Sequence, residues 1–216
     1  MIKKLFLILA LLTIIGSSIV NAQTNKTVNF FDRSHLVFTV EEEFRLKDQG
    51  SVHGLFYEHT DVQAKYLVNK YVDVFTDYRL IFKNKAGTWG DQSMFLEGFN
   101  LKYPESTNWG KLNLRTRIEI GLNKDGVDTT YELNVFPKYN TPWKFTKFDI
   151  NPFAANEMFF DTLNSADFIR NRIYAGVDWK ITKSIKGSTY YYHEEAKSGV
   201  TWTPSEVVVV QIKFEF

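Results

Sequence analysis

Apolar and polar residues alternate with a period of two over most of the chain beyond residue 34. In the segment Lys111–Asn123, the even-numbered positions are apolar or threonine, and the odd-numbered ones are polar or charged except for Gly121. Successive side chains of a strand point to opposite faces, so this pattern predicts a strand with one apolar and one charged face. A helix would scatter the same apolar residues around its circumference. The alternation recurs over residues 72–83, 169–181 and 208–216, and the chain is therefore predicted to be all-β.

Turn residues divide this alternating sequence into hairpins. Tight turns that share one end of the sheet are predicted at Asn69-Lys70, Asn108-Trp109-Gly110, Thr141-Pro142-Trp143 and Lys183-Ser184. Loops at the other end are predicted at Lys47–Ser51, Asn84–Ser93, Asn123–Thr129, Thr162–Asp167 and Ala196–Ser205. Each interval between turns holds two strands, which predicts ten antiparallel strands. The range is eight to twelve strands, because the alternation is blurred over Met94–Tyr103.

Strand number and length favour a membrane barrel. An even number of antiparallel strands is typical of bacterial outer-membrane barrels, and strands of about 11 residues suit a tilted crossing of the bilayer. A soluble sandwich or a lipocalin-like barrel shows the same alternation with its apolar face turned inward, so alternation alone does not decide which face is outside.

Two features favour an apolar exterior and a charged interior. Trp109 and Trp143 lie at predicted turns on one side, and Trp89 and Trp202 lie in predicted loops on the other, as in the aromatic belts of membrane proteins. Ionised residues also occupy the second face of nearly every strand, which suits a narrow lumen filled with ion pairs. The predicted fold is an antiparallel transmembrane β-barrel.

The last strand favours the same assignment. Apolar residues occupy every second position and end on a terminal phenylalanine, which resembles the signal that the outer-membrane assembly machinery recognises. The residues of this predicted assembly signal are Val208, Val210, Ile212, Phe214 and Phe216.

The first 22 residues are predicted to be a cleaved secretory signal peptide. Lys3 and Lys4 precede an apolar run, Leu5–Ile15, and small residues lead to a cleavage site after Ala22. The run is too short to span about 30 Å of hydrocarbon as a helix. The predicted organisation is a signal peptide at 1–22, a lead-in segment at 23–34 and an outer-membrane barrel at 35–216.

Composition narrows the class of protein. The chain has 216 residues, which suits one domain, and its formal net charge of +1 argues against nucleic-acid binding. It contains no cysteine, which excludes disulfide scaffolds, thiol nucleophiles, cysteine-ligated metals and a lipid-anchored cysteine. The predicted location is the outer membrane of a Gram-negative bacterium. The predicted partners are outer-membrane lipids and, during biogenesis, the assembly machinery.

From about residue 35 to Phe216, the chain resembles a family of uncharacterised outer-membrane barrels of Bacteroidetes-type bacteria, known as a conserved domain of unknown function. The resemblance rests on the segments Glu41–Arg45, Leu114–Arg117, Phe168–Ser184 and Gly187–His193, in that order. It implies the barrel fold and the outer-membrane location. It implies no reaction and no catalytic residue.

The charged faces of the strands contain the densest group of candidate functional residues. We expect these side chains to form an ion-pair network that fills the lumen, or a charged constriction that selects small solutes. The protein is then a structural envelope component or a narrow channel. The predicted lumen residues are Asp73, Asp77, Arg79, Arg115, Arg117, Glu119, Arg170, Arg172, Asp178 and Lys180.

Two further functions remain open as alternatives. An outer-membrane lipid hydrolase or acyltransferase would need a serine beside His193 or His59, and the sequence shows no such spacing. A secreted lipocalin-like carrier would need an apolar interior. A metal site of His59, Asp61 and Glu41 across neighbouring strands is conceivable, but no spacing signature supports it. The sequence therefore predicts no enzyme, no catalytic residue, no metal and no cofactor.

Overall fold

The computed structural model describes residues 35–49, 52–85, 87–103, 109–122, 131–163 and 167–216. The predicted signal peptide, the lead-in segment and the predicted loop Asn123–Thr129 lie outside these residues. Among the described residues, no helix is long and apolar enough to cross a membrane.

Ten strands are present in the described part of the chain, and they account for most of it. Residues of each strand pair with residues of the neighbouring strands. The strands range from 10 to 16 residues in length. The strands are β1 Leu36–Gln49, β2 Val52–Leu67, β3 Val72–Lys85, β4 Thr88–Lys102, β5 Lys111–Leu122, β6 Tyr131–Asn140, β7 Asn151–Asp161, β8 Asp167–Lys180, β9 Ile185–Ser198 and β10 Thr201–Glu215.

The strands form a closed antiparallel barrel in which each pairs with its neighbours along the chain and β1 pairs with β10. The prediction of an all-β, ten-stranded antiparallel barrel is confirmed. Closure joins residues far apart in sequence, because Val40 pairs with Phe214 and Leu46 pairs with Val208. It leaves no strand edge to recruit another chain.

The two ends of the barrel differ. We call the end with His35, Phe216 and the connections 68–71, 141–150 and 181–184 the terminal rim. The opposite end, with Gly87, Leu163 and Gly199, is the distal rim. Trp109 and Trp143 are 79% and 61% exposed at the terminal rim, and Trp89 and Trp202 lie at the distal rim.

Large apolar side chains cover the exterior of the barrel wall. On β3, Val74, Tyr78, Leu80 and Phe82 are exposed, whereas the intervening odd-numbered residues Asp73–Ile81 are buried. The same exterior row continues on other strands with Phe38, Val62, Phe95, Ile118, Ile173 and Val208. The barrel therefore buries its charged face and exposes its apolar face.

Acidic residues also occur on this exterior, among them Glu42 and Glu58. Glu42 and Glu58 lie on the outer faces of β1 and β2, and Thr60 donates a hydrogen bond of 2.7 Å to Glu42. A β-bulge lies near them, because the β1–β2 register shifts between Arg45 and Leu46. It lies beyond both glutamates and does not turn either one into the lumen.

Some predicted connections are wrong in length. The predicted loops Asn84–Ser93 and Ala196–Ser205 are mostly strand, because β3 and β4 approach to Lys85 and Thr88, and β9 and β10 approach to Ser198 and Thr201. Gly199 makes such a short turn possible, because its φ of 62° lies in the left-handed region that glycine favours. Conversely, the predicted tight turn at Thr141-Pro142-Trp143 begins a longer connection that contains a Phe145–Ile150 bridge.

Candidate functional site: the charged lumen

The lumen contains two separate cavities that share a set of lining arginines. A terminal chamber of about 590 Å³ opens toward the terminal rim, and a distal chamber of about 460 Å³ opens toward the distal rim. Four arginines line both cavities and form what we call the arginine layer: Arg45, Arg79, Arg117 and Arg172. Each of the four is less than 10% exposed.

The layer draws its members from strands around the barrel. Arg45 extends from β1, Arg79 from β3, Arg117 from β5 and Arg172 from β8. All four occupy positions at which strand alternation directs side chains inward. Because the strands are spaced around the wall, their guanidinium groups converge on the lumen from different sides.

Glu157 on β7 is the acceptor that connects two of these arginines with Arg115. Its carboxylate lies 3.2 Å from Arg115, 3.6 Å from Arg117 and 3.3 Å from Arg172. Asn134 and Tyr174 also donate hydrogen bonds to it. Glu157 is only 2% exposed, so its charge depends on these neighbours for stabilisation.

Other carboxylates in the layer are held by single arginines. Asp61 accepts two hydrogen bonds from Arg79, at 2.7 and 2.6 Å, in the bidentate geometry that suits guanidinium and carboxylate groups. Arg117 donates a hydrogen bond of 2.7 Å to Glu119, two positions along the same strand. Arg172 also donates to Glu194, at 2.6 Å.

Aromatic rings support the guanidinium groups. The Arg45 guanidinium carbon lies 4.0 Å from the ring centroid of Tyr57, and that of Arg172 lies 5.0 Å from the centroid of Tyr192. Such cation–π contacts strengthen when both partners are shielded from water, as they are here. The lumen is therefore a mixed charged and aromatic core, whereas the sequence indicated charge alone.

Two glycines allow large lumen side chains on the neighbouring strand to pack directly over them. A Cβ atom at Gly98 would overlap the Cα and Cβ atoms of its cross-strand partner Arg117. A Cβ atom at Gly176 would likewise overlap Tyr190, whose hydroxyl group donates a 2.7 Å hydrogen bond to Glu43. Both glycines lie on inward-facing positions of β4 and β8.

His59 lies at the centre of a buried acidic cluster. It is 1% exposed, and neither ring nitrogen has a hydrogen-bond partner. Its ring nitrogens lie 3.9 Å from Glu41, 3.7 Å from Glu43 and 3.6 Å from Asp61. Candidate ligand atoms of Glu41, Glu43 and His59 lie within 4.8 Å of one another.

The basic partners of this cluster argue against a metal ion. Glu41 is bound by Lys213, Glu43 by Arg45 and Asp61 by Arg79, so the three carboxylates are already balanced by three cations. A divalent cation would add charge to a balanced group and compete with these bonds. We therefore assign the cluster to the ion-pair network.

The remaining predicted lumen residues lie inside the barrel on either side of the layer. In the terminal chamber, Asp73 accepts from Asn100 and pairs with Lys102, and Asp178 lies 2.8 Å from Lys138. Lys180 lines the same chamber. Asp77 is buried opposite Gln63, and Arg170 pairs with Glu132 in the distal chamber. The ten predicted residues thus do not form one cluster but extend along most of the lumen.

Several members of the network were not among the ten predicted lumen residues. Glu43, Arg45, His59 and Asp61 lie on β1 and β2, and Glu157 lies on β7. Glu157 carried a usable signal, since it is the single charge within the otherwise uncharged segment Asn151–Phe160. An isolated charge in such a segment indicates a buried, partnered group.

His193 lies on the exterior and has acidic partners. Its Nδ1 atom is 2.7 Å from Glu206, which also accepts a hydrogen bond from Tyr191. Its Nε2 atom is 3.9 Å from Glu195. Within the described residues, no serine is hydrogen-bonded to His193 or to His59.

The predicted assembly-signal residues share the outer face of the last strand. Val208 is 46% exposed and Phe216 is 80% exposed, while Val209 between the exterior positions is fully buried. Val210, Ile212 and Phe214 pair with Phe44, Glu42 and Val40 at the seam where the barrel closes. The exterior row is thus continuous across that seam.

Comparisons with solved structures return low similarities. The translocator domain of the autotransporter NalP from Neisseria meningitidis shares 10% identity at a TM-score of 0.39, over 84% of this chain and 88% of that chain. OmpF of Salmonella typhi in complex with daunomycin shares 7% identity at a TM-score of 0.32, over 84% of this chain and 97% of that chain. Likenesses at these TM-scores carry no argument about function.

Sequence comparisons identify the family. No curated protein matches the chain. A family model described as a protein of unknown function, DUF2490, matches residues 20–203, which include nine of the ten strands and the start of the last. The resemblance to a conserved domain of unknown function is thereby confirmed, and the chain belongs to the DUF2490 family.

Proposed function

We propose that this protein is an outer-membrane β-barrel whose lumen is closed by the arginine layer, and that it acts as a structural component of the envelope rather than as an open channel. The observation that carries the proposal is the inverted distribution of side chains. Apolar residues such as Val62 and Leu80 are exposed on the wall, at 52% and 43%, while Arg79 and Glu157 are buried inside.

This distribution suits a hydrocarbon environment. In water, the continuous exterior of large apolar side chains would be an aggregation-prone surface. In a bilayer, the same side chains contact acyl chains, and the closed hydrogen-bonded sheet satisfies the backbone groups where water is absent. The tryptophans at both rims lie where the aromatic belts of a membrane barrel would be.

The arginine layer supports a closed lumen. A water-filled pore requires an open path, but the four arginines that separate the chambers are themselves buried against their carboxylate and tyrosine partners. Opening a path through this layer would break several charge-assisted hydrogen bonds at once.

The charged lumen disfavours the two alternatives. A lipocalin-like carrier requires an apolar interior, whereas this one contains ion pairs such as Asp61–Arg79 and Glu157–Arg172. A serine-dependent lipid hydrolase requires a nucleophile beside a histidine, and the described partners of His193 are Glu206 and Glu195.

The final strand is proposed to act as the assembly signal through its exterior row.

Cell fractionation with gel electrophoresis tests this proposal. A closed membrane barrel resists detergent without heating and changes its mobility when boiled, and we expect such a shift in the outer-membrane fraction. A protein in the soluble fraction with no heat-dependent shift would overturn the proposal.

A further inference from the structure

Three lysines lie side by side, on adjacent strands, on the inner wall of the terminal chamber. Lys180 on β8 is the cross-strand partner of Lys186 on β9, and Lys186 is the partner of Lys213 on β10. All three line the chamber. Like charges at directly opposite strand positions destabilise a sheet. The repulsion within this row of three lysines must therefore be offset by nearby negative charge.

The protein's own carboxylates compensate this row only in part. Lys186 pairs with Glu215, and Lys213 pairs with Glu41 at 2.7 Å. Lys180 has no carboxylate within salt-bridge distance among the described residues, and the same holds for Lys65 and Lys111, which also line the chamber. These three ammonium groups are available to a ligand.

The lysines are concentrated at one end of the lumen. Among the described residues, eight lysines line the terminal chamber and two line the distal chamber. Counting lysine, arginine and carboxylate side chains, thirteen basic and seven acidic residues line the terminal chamber, and seven basic and three acidic residues line the distal chamber. The arginines of the layer are paired with carboxylates, so the unpaired positive charge of the terminal chamber comes from lysines. Low-dielectric walls focus such a field, so the chamber concentrates anions that enter from the terminal rim.

We propose that the terminal chamber is a binding site for a small multivalent anion of the phosphate or pyrophosphate class. The inference rests on the proposed function in one respect: the anion enters from the terminal rim and stops at the arginine layer. Converging ammonium groups neutralise several negative charges on one ligand, which favours multivalent over monovalent anions. The volume of about 590 Å³ accommodates a ligand of this size with water.

A free anion fits the chamber better than a lipid headgroup does. A phospholipid offers the same phosphate chemistry, but its acyl chains would have to enter a lumen lined by lysine, arginine and carboxylate groups. That burial would place hydrocarbon against charged groups without any gain in apolar contact. The ligand is therefore a soluble phosphate-class anion.

Isothermal titration calorimetry with pyrophosphate tests the site in the detergent-solubilised full chain. The test variant combines Lys65→Gln, Lys111→Gln and Lys180→Gln, which removes three charges without leaving a described carboxylate unpaired. The matched control combines Lys70→Gln, Lys147→Gln and Lys183→Gln, which removes three charges from connections at the same rim but not from the chamber wall. Heat-dependent mobility verifies that each barrel is folded, and Lys180→Gln alone serves if the triple variant does not fold.

We expect pyrophosphate to bind the unmodified protein at about one site and more tightly than acetate. The chamber variant should lose about tenfold or more in affinity, while the control stays within about threefold. Absence of pyrophosphate binding, or equal loss in both variants, would overturn the proposal. Displacement of pyrophosphate by phosphatidic acid in nanodiscs would overturn the assignment to a soluble anion. None of these results depends on membrane location or conductance, so a failure here is distinguishable from a failure of the proposed function.

Discussion

Arg172 and Glu157 are direct cross-strand partners on β8 and β7, and their side chains form a salt bridge of 3.3 Å inside the barrel. Because Glu157 also binds Arg115 and Arg117, one carboxylate on β7 links β5, β7 and β8 across the lumen. Each of these cations would be costly to bury alone. The network therefore balances these buried charges, and in the proposed function it also closes the lumen.

Replacement of Glu157 tests the stabilising role. Glu157→Gln keeps the shape of the side chain but removes the charge that balances three arginines. We expect the free energy of unfolding to fall by about 3–5 kcal/mol, because a buried ion pair loses one partner. The measurement is the urea concentration at which half of the detergent-solubilised protein has lost the folded, heat-modifiable gel band. Glu195→Gln, at a side chain that is 55% exposed, is the control and should leave the midpoint unchanged.

Removal of a complete ion pair tests the closure of the lumen. Asp61→Ala with Arg79→Ala eliminates both members of a bidentate pair, so neither charge is left unpaired in the layer. We expect the unmodified protein to show no steady conductance in planar bilayers and the double variant to show channel openings.

A matched pair outside the layer completes that experiment. Lys138→Ala with Asp178→Ala removes an ion pair from the wall of the terminal chamber, where the lumen is already open. This variant should remain closed. Steady conductance of the unmodified protein would show that the arginine layer is a passage and would contradict the structural role.

The glycine at position 98 is required for the packing of Arg117. Gly98→Ala places a methyl group against the Thr116 carbonyl oxygen and the Cα and Cβ atoms of Arg117, and the strain of overpacking should cost about 1–3 kcal/mol of the free energy of unfolding. Gly90→Ala on the same strand has no atom within 4 Å of the added methyl group. On heating, the folded gel band should therefore convert to the unfolded band at a lower temperature for Gly98→Ala than for the unmodified protein, whereas Gly90→Ala should leave this temperature unchanged. Equal thermal stability of the two variants would contradict this packing account.

The exterior histidine tests the lipid-hydrolase alternative. Because the described neighbours of His193 are carboxylates and not a serine, we expect His193→Ala to leave the lipid composition of the outer membrane unchanged. Mass spectrometry of lipids from cells with the unmodified protein, the variant or no protein makes the comparison. A lipid product that depends on both the protein and His193 would restore the enzymatic alternative.

The sequence predicts the fold well where the two faces of a strand differ in chemistry. On β5, Arg117 and Glu119 alternate with Ile118 and Ile120, and the inward positions are evident. On β4, the buried residues Met94 and Leu96 are as apolar as the exposed ones, so the alternation is hidden. The predicted strands end too early at the distal rim, because the polar residues there are typical of loops but lie within β3, β4, β9 and β10.

The site is less accessible to sequence reasoning than the fold. Arg79 was predicted to face the lumen, but its partner Asp61 lies 18 positions away on another strand. Pairing of this kind depends on the register between strands, which local alternation does not determine. The lysine row is another example, since Lys180, Lys186 and Lys213 become neighbours only through the registers of β8, β9 and β10.

Spin labelling tests the central claim that the apolar face contacts lipid. The chain contains no cysteine, so Leu80→Cys on the exterior and Lys111→Cys on the chamber wall each give a single attachment point for a nitroxide. In proteoliposomes, we expect lipid-soluble oxygen to relax the label at position 80 more than a water-soluble nickel complex does, and the reverse at position 111. Equal and strong relaxation of both labels by the nickel complex would mean that Leu80 faces water, which would contradict a membrane barrel.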